Sequence, residues 1–449
     1  MKEKIKIFLL VILLISTNSL MAKVIYLNSP DNKNIIEVNI TNKISYSVKR
    51  NGNQILLPSF LSLKINNKVW GTDGNPKSVN KQTVNEEVTF NVPRKFKSIQ
   101  DNYNQLTLRF NDYSIEFRAY NDGVAYRFVG NSNTEGEVLN DEVMYNFDKD
   151  YETYTLLTNK LQNWFEENYT VKPFSKLPKD SFSIAPVMVD MKKYKVFLAE
   201  ANLYNYSGMY LQPKFNGFSG LFAKYPKVEE FVQGTNKIYA TEREEYIVKS
   251  TLKRNFPWRV MGIFDNEKDI LSSELIYLLS EKADSKIDYS WIKPGKVLWD
   301  WWNHQNIYGV DFEAGINTAT YMYMIDFAHK NGIEYILIDE GWSGKDDLLT
   351  LNPNVDMPKI CQYANQNNVG VMLWAKWINV DKQLDASFDL MKSWGVKGVK
   401  IDFMDRNDAK MVNFFERVAK KANDCKFLID LHGSYPNDGM LRKYPMLMT

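Results

Sequence analysis

The chain has 449 residues, of which 44% are hydrophobic, 24% charged and 14% aromatic, enough apolar material for at least two domains and too much for a disordered chain. Fifty-six Lys plus Arg face 54 Asp plus Glu, a formal net charge of +2, so no global field draws polyanions and a nucleic-acid partner is not expected. Two cysteines, Cys361 and Cys425, are too few for a disulfide framework and sit at no zinc-site spacing.

In chain order, Lys2, Lys4 and Lys6 precede the apolar run Ile7 to Ile15, a polar patch covers Ser16 to Ser19, and Ala22 stands at a cleavage position. Residues 1–22 therefore read as a secretory signal. The run is shorter than the ~20 residues of a membrane span, and no later stretch replaces it. The mature chain is expected to begin near Lys23, without stable membrane insertion, in the periplasm.

Residues 23–286 alternate with period two. Ile36, Val38 and Ile40 do so, then Ile44, Tyr46 and Val48, with Asn51-Gly52 as a turn. Leu106, Leu108 and Phe110 repeat the pattern, and Asn121-Asp122-Gly123 joins Ile115–Tyr120 to Val124–Phe128 as a hairpin. Half-buried strands of this kind predict a large antiparallel β-sandwich.

The pattern changes near Trp291, opening a second domain over 287–449. Five short apolar runs follow: Val297–Trp302, Tyr335–Asp339, Val369–Trp374, Gly398–Phe403 and Phe427–Leu431. Four helical segments separate them. Ile316, Ala319, Tyr323 and Phe327 are expected on one buried helix face, as are Leu384, Phe388 and Met391, and Val412, Phe415 and Ala419. A doubly wound sheet or an eight-unit (β/α)8 barrel would fit. No Gly-rich phosphate turn follows any run, and each ends in carboxylates, tryptophans or other polar groups. Aromatic faces and carboxylates at the carboxyl rim of barrel strands suit a sugar, which makes an oligosaccharide the expected partner and the barrel the preferred reading. Such a barrel needs ~250 residues, and about 160 remain from Trp291 to Thr449. A partial TIM barrel of about five strands is expected, in a chain that reads as truncated.

Asp402 should project from the rim of the fourth strand, because Asp408 is better placed to cap the helix beginning near Ala409. Asp339 and Glu340 share its strand-end position. Asp405 and Arg406 read equally as a surface pair, and Lys376 ends the third strand. His304 and His432 follow strands, whereas His329 lies near a helix end and reads as structural; none has a partner at metal spacing. Trp302, Trp342, Trp374 and Trp377 are expected at the rim, and Trp299 and Trp394 in the core.

The run Val396 to Arg406, the run Ile338-Asp339-Glu340-Gly341-Trp342, and His432-Gly433-Ser434-Tyr435 with Arg442-Lys443-Tyr444-Pro445 resemble glycoside hydrolase family 97. That family includes bacterial α-glucosidases and α-galactosidases. The resemblance extends to Leu198–Leu203 and Tyr206–Met209, where it implies that Glu200 is a ligand to calcium. Gly433 after His432, together with Asp402, matches the retaining branch. The resemblance thus implies a double displacement with Asp402 as nucleophile, Asp339, Glu340, Trp342, Lys376, Arg406, His432 and Trp302 around the sugar, and an α-galactoside substrate, with an α-glucoside or mere sugar binding as alternatives. Two carboxyl groups ~5 Å apart are required. The family's acid/base glutamate falls just past the segment matching Tyr444-Pro445-Met446-Leu447, so the chain as written is expected to be inactive alone and to hold calcium poorly, since the ion wants 6 to 8 oxygens.

Overall fold

The computed structural model describes residues 23–232, 235, 237–436 and 438–448; the signal segment at 1–22 lies outside them. From Lys23 to Phe264 the described chain is almost entirely antiparallel β-structure. The alternating residues do form its interior: Ile36, Val38, Ile40, Ile44, Tyr46 and Val48 are each at most 3% exposed. Tyr113–Tyr120 pairs antiparallel with Gly123–Gly130 across the two residues Asn121 and Asp122, the tight connection its sequence specifies. These strands pack as a large sandwich whose main hydrophobic core continues into the second half of the chain, with a smaller cluster around Trp258 under the helix Leu275–Leu279. A separate hairpin, Pro226–Phe231 with Ile238–Arg243, leaves the sandwich and reaches the second half.

Two short helices, Glu267–Ile270 and Leu275–Leu279, lead out of the sandwich. Five parallel strands follow: Val297–Trp299, Tyr335–Ile338, Gly370–Lys376, Gly398–Asp402 and Leu428–Leu431, hydrogen-bonded in strict chain order. No reversal of order occurs among the described residues, so this is not a doubly wound sheet. The connecting helices are Thr318–Asn331, Met357–Gln366, Trp377–Trp394 and Ala409–Cys425. Each has local cause. Asn317 accepts the Thr320 N–H and Asp408 accepts the Met411 N–H as N-caps, and Gly332, at φ 60°, closes the first helix in the left-handed conformation that glycine adopts without penalty.

The first of these helices corrects an expectation. Its buried face is Thr320, Tyr321, Met324, Ile325 and Ala328, while Tyr323 is 39% and Phe327 46% exposed. Two stripes of similar apolarity lie side by side on this helix. Tyr323 instead packs edge-on against Phe312. On the other two named faces, Phe388 and Met391, and Val412, Phe415 and Ala419, are buried.

Buried polar contacts hold the two halves together. The Asp438 carboxylate accepts the Leu203 N–H at 2.8 Å, and Asn407 O accepts the Gly208 N–H at 2.8 Å. Arg442, 4% exposed, donates to the carbonyls of Tyr277, Leu278 and Ser280 at 3.0, 2.6 and 2.9 Å. It thereby satisfies the open C-terminal carbonyls of Leu275–Leu279. Truncating it strands those groups, so Arg442→Ala is expected to lower unfolding stability by about 2–4 kcal/mol. Urea titration checks this; a midpoint equal to wild type would contradict it.

Candidate active site

Period two decides which strand residues reach the site. Ile336, Leu373, Val399, Ile401 and Ile429 are fully buried and point toward the helices. Their neighbours of opposite parity face the other way: Trp299, Asp339, Trp374 and Lys376, Lys400 and Asp402, and then Asp430 and His432. On that face a cavity of about 430 Å³ is bordered by Trp299, Leu337, Met372, Lys400, Asp430 and His432.

Asp402 is 6% exposed. Its Oδ2 accepts the Trp374 indole N–H at 3.0 Å; its Oδ1 accepts the Phe403 N–H at 2.7 Å and lies 3.1 Å from His432 Nδ1. Burial alone would raise its pKa, but the hydrogen bonds from His432 and Trp374 and the charges of His432 and Lys400 hold it below the ordinary aspartate range. His432 is shifted upward, chiefly by its hydrogen bond to Asp402. Lys400, 3% exposed, lies 3.2 Å from Asp339 Oδ2, 3.9 Å from Asp402 Oδ2 and 4.1 Å above the Trp299 ring. Trp299 Nε1 also donates to Asp339 Oδ2 at 2.6 Å. Asp300, 1% exposed, accepts the Asp339 N–H at 3.0 Å. Burial, reinforced by the charge of Asp339, pushes Asp300 up to about 6.

The backbone beyond the fourth strand is strained. Phe403 and Asp405 adopt φ of 67° and 54°, a region non-glycine residues avoid and which clusters at functional sites. Gly433, at φ 61°, leaves room beside this turn: a Cβ there would lie 3.2 Å from Asp405 Oδ1 and 3.4 Å from Asp402 Oδ1. Asp405 is buried, and burial raises its pKa against the pull of Lys237, 2.8 Å away. Two neighbouring carboxyls are thus shifted in opposite directions.

The remaining candidates scatter. Trp302 is 80% exposed, because the strand ends at Trp299 and Asp300–Asn303 form a 3-10 turn. Trp342 is fully buried, its indole donating to Trp374 O at 2.8 Å; Gly341, at φ 118°, turns the chain back under the rim. Trp377 is 2% exposed. Glu340, of opposite parity to Asp339, is exposed. Arg406 is fully buried and points away, 2.5 Å from Glu229 of the sandwich hairpin and 3.2 Å from Asp408. Lys376 keeps the site's parity and pairs with Asp346 at 2.9 Å. Trp299, expected in the core, is instead at the centre, and Lys400 was overlooked. A lysine within an otherwise apolar parallel strand was the available signal, since such strands are buried on both faces.

Glu200 stands apart. Its Oε1 accepts the Met209 N–H at 2.6 Å, its Oε2 pairs with Arg259 at 2.7 Å, and burial raises its pKa. Arg259 also holds Asp141 at 2.6 Å. Among the described residues no three His, Cys, Asp or Glu side chains gather as a metal site. The donors present, engaged with an arginine, do not fit a calcium cage.

Acids and indoles converging at the carboxyl rim of a parallel α/β sheet point to the glycan-cleaving class of proteins. Comparison makes this specific. The glycoside hydrolase 97 N-terminal model matches residues 27–281, and the glycoside hydrolase 97 model matches 301–449. A protein named retaining alpha-galactosidase from Bacteroides thetaiotaomicron is 37% identical over 465 aligned positions, covering 99% of this chain and 70% of that protein. A probable retaining alpha-galactosidase from Streptomyces bingchenggensis is 24% identical, covering 75% of this chain and 49% of that one. Among solved structures, a glycoside hydrolase family 97 enzyme in complex with acarbose, from Pseudoalteromonas sp. strain K8, shares the fold with a TM-score of 0.82 at 20% identity, covering 94% of this chain and 68% of that one. The chain belongs to glycoside hydrolase family 97.

The site has a pH signature. Asp402, with its folded pKa lowered, stabilises the fold above its unfolded value of ~4, and that contribution is lost as pH falls through the folded pKa. Asp300 has the opposite sign: raised to about 6, it penalises folding increasingly as pH climbs from ~4 to about 6, by roughly 3 kcal/mol in full. Asp300→Asn keeps the oxygen that accepts the Asp339 N–H and removes the titration. It should therefore gain stability relative to wild type between pH 4 and pH 7 in paired urea titrations; parallel pH profiles would show that Asp300 titrates normally.

Proposed function

We propose that the chain is an extracytoplasmic retaining α-galactosidase whose nucleophile is Asp402. The observation that carries this reading is a buried aspartate held ionised at the end of the fourth parallel strand by His432, Trp374 and Lys400. Support comes from the 37% identity to a protein named for that activity and from Gly433, which leaves the space in front of Asp402 open. In this reading the five strands are the first units of a (β/α)8 barrel, and residues 1–22 deliver the chain to the periplasm. Among the described residues no helix is long and apolar enough to cross a membrane.

The chemistry follows from the charges. The Asp402 carboxylate attacks the anomeric carbon as the bond to the leaving oxygen breaks, giving a glycosyl ester that water then hydrolyses. The proton for the leaving oxygen comes from a carboxylic acid, a role the family resemblance gives to a glutamate. His432 and Trp374 orient Asp402, so that its lone pair is aimed at the sugar without reorganisation. The hydrogen bonds from His432 and Trp374, with the charges of His432 and Lys400, keep the carboxylate ionised, while Trp299 offers its ring to the C–H side of the hexose.

A probe with a fluoride leaving group needs little proton assistance, so it tests the nucleophile on its own. With 5-fluoro-α-galactosyl fluoride, peptide mass spectrometry should find a fluorogalactosyl ester on Asp402, and Asp402→Asn should lower labelling by about 10⁴-fold. Labelling only by the gluco isomer would make the chain an α-glucosidase. No label from either sugar would leave a sugar-binding protein.

A further inference from the structure

The sandwich sends a strap to the rim of the site, and its side chains are divided between anchoring and exposure. Residues 159–169 link the strands Glu152–Thr158 and Thr170–Pro173. The anchors are specific. The Asn163 N–H donates to Asp405 O at 2.8 Å, Gln162 donates to Ile238 O at 2.7 Å, and Tyr210 Oη donates to Leu161 O at 3.1 Å. Phe165 is 9% exposed, lies parallel to the Tyr210 ring and adopts φ 60°. That left-handed turn, stabilised by Asn163 Oδ1 accepting the Phe165 N–H at 3.0 Å, drives Phe165 inward and its neighbours outward.

The neighbours are Trp164 and Glu166. Trp164 is 54% exposed although its backbone is pinned on both sides. Lys237 Nζ sits 3.9 Å from the centre of its ring and 2.8 Å from Asp405 Oδ2, which fixes the indole beside the site. Glu166 is 60% exposed and lies 3.6 Å from His432 Nε2, while the same imidazole's Nδ1 faces Asp402 at 3.1 Å. The strap therefore approaches the site from the far side of His432, whose imidazole lies between Glu166 and Asp402.

We propose that Trp164 and Glu166 form a second sugar subsite, which binds the next residue of an α-linked oligosaccharide. Trp164 is its stacking face, and Glu166 accepts hydrogen bonds from its hydroxyls. A half-exposed indole with a cation held against its ring suits the C–H face of a pyranose. The adjacent acceptor reads the hydroxyls at the ring edge. This assignment rests on the glycosidase reading only for the class of ligand.

Binding tests it without turnover. Isothermal titration of the full chain carrying Asp402→Asn, which removes the nucleophile, with galactose and with melibiose, a galactosyl-glucose, should show tighter binding of the disaccharide. Trp164→Ala should remove that preference, weakening melibiose by about fivefold and leaving galactose within a factor of two. Glu166→Ala should weaken melibiose in the same selective way. Because both side chains are exposed, unfolding midpoints are expected to match wild type. If Trp164→Ala keeps the full disaccharide preference, the strap is not a subsite, whatever the reaction. Glucose and maltose run in parallel separate the two readings: selective loss for maltose supports the strap while overturning the galactoside assignment. A chain that binds neither series overturns both.

Discussion

The site is organised around one buried cation. Lys400 sits at the middle of the inward face of the parallel sheet, between Asp339 and Asp402 and above Trp299. An ammonium taken out of water is costly unless anions and hydrogen-bond acceptors replace the lost hydration. That demand draws the two carboxylates inward, and they in turn draw the Trp299 and Trp374 indoles and His432 toward them. The Asp402 carboxylate is held below the ordinary aspartate range by His432 and Trp374 first and by the charge of Lys400 in addition. A low aspartate pKa inside a protein is therefore a property of the whole cluster.

The sandwich completes this cluster. Its hairpin brings Glu229 to Arg406 and Arg243 to Asp408, and Lys237 reaches Asp405. All three acceptors or donors on the sheet side lie in the short stretch after the fourth strand, where Phe403 and Asp405 hold positive φ. Strained backbone persists where surrounding contacts over-determine it, and here those contacts come from the other half of the chain. The two halves share one hydrophobic core as well, so rim geometry and inter-half packing are a single problem.

Much of this was legible in the sequence, for stated reasons. Period two marked the sandwich strands, whereas the parity that unites Asp339, Trp374, Lys376, Asp402 and His432 on one face needed the strand bounds and register of the structure. Capping chemistry marked the helix that begins at Ala409. Two of the misses originate in turns. A residue past the end of a strand no longer obeys its alternation, so the 3-10 turn at Asp300–Asn303 frees Trp302 to solvent and Gly341 folds Trp342 into the core. Arg406 was misread because its partners, Glu229 and Asp408, converge only after the hairpin has crossed to the sheet. On the helix Thr318–Asn331 two stripes satisfied the same spacing, and periodicity has no means of choosing between them.

Gly433 sets a limit on how such a protein can change. The direction its missing side chain would take leads straight between the Asp402 and Asp405 oxygens. An acidic residue at 433 would bring a third carboxylate against two already crowded ones, and its backbone would have to hold a left-handed φ that a side chain disfavours. Adding an acid at 433 and keeping Asp402 are thus competing uses of the same few cubic ångströms.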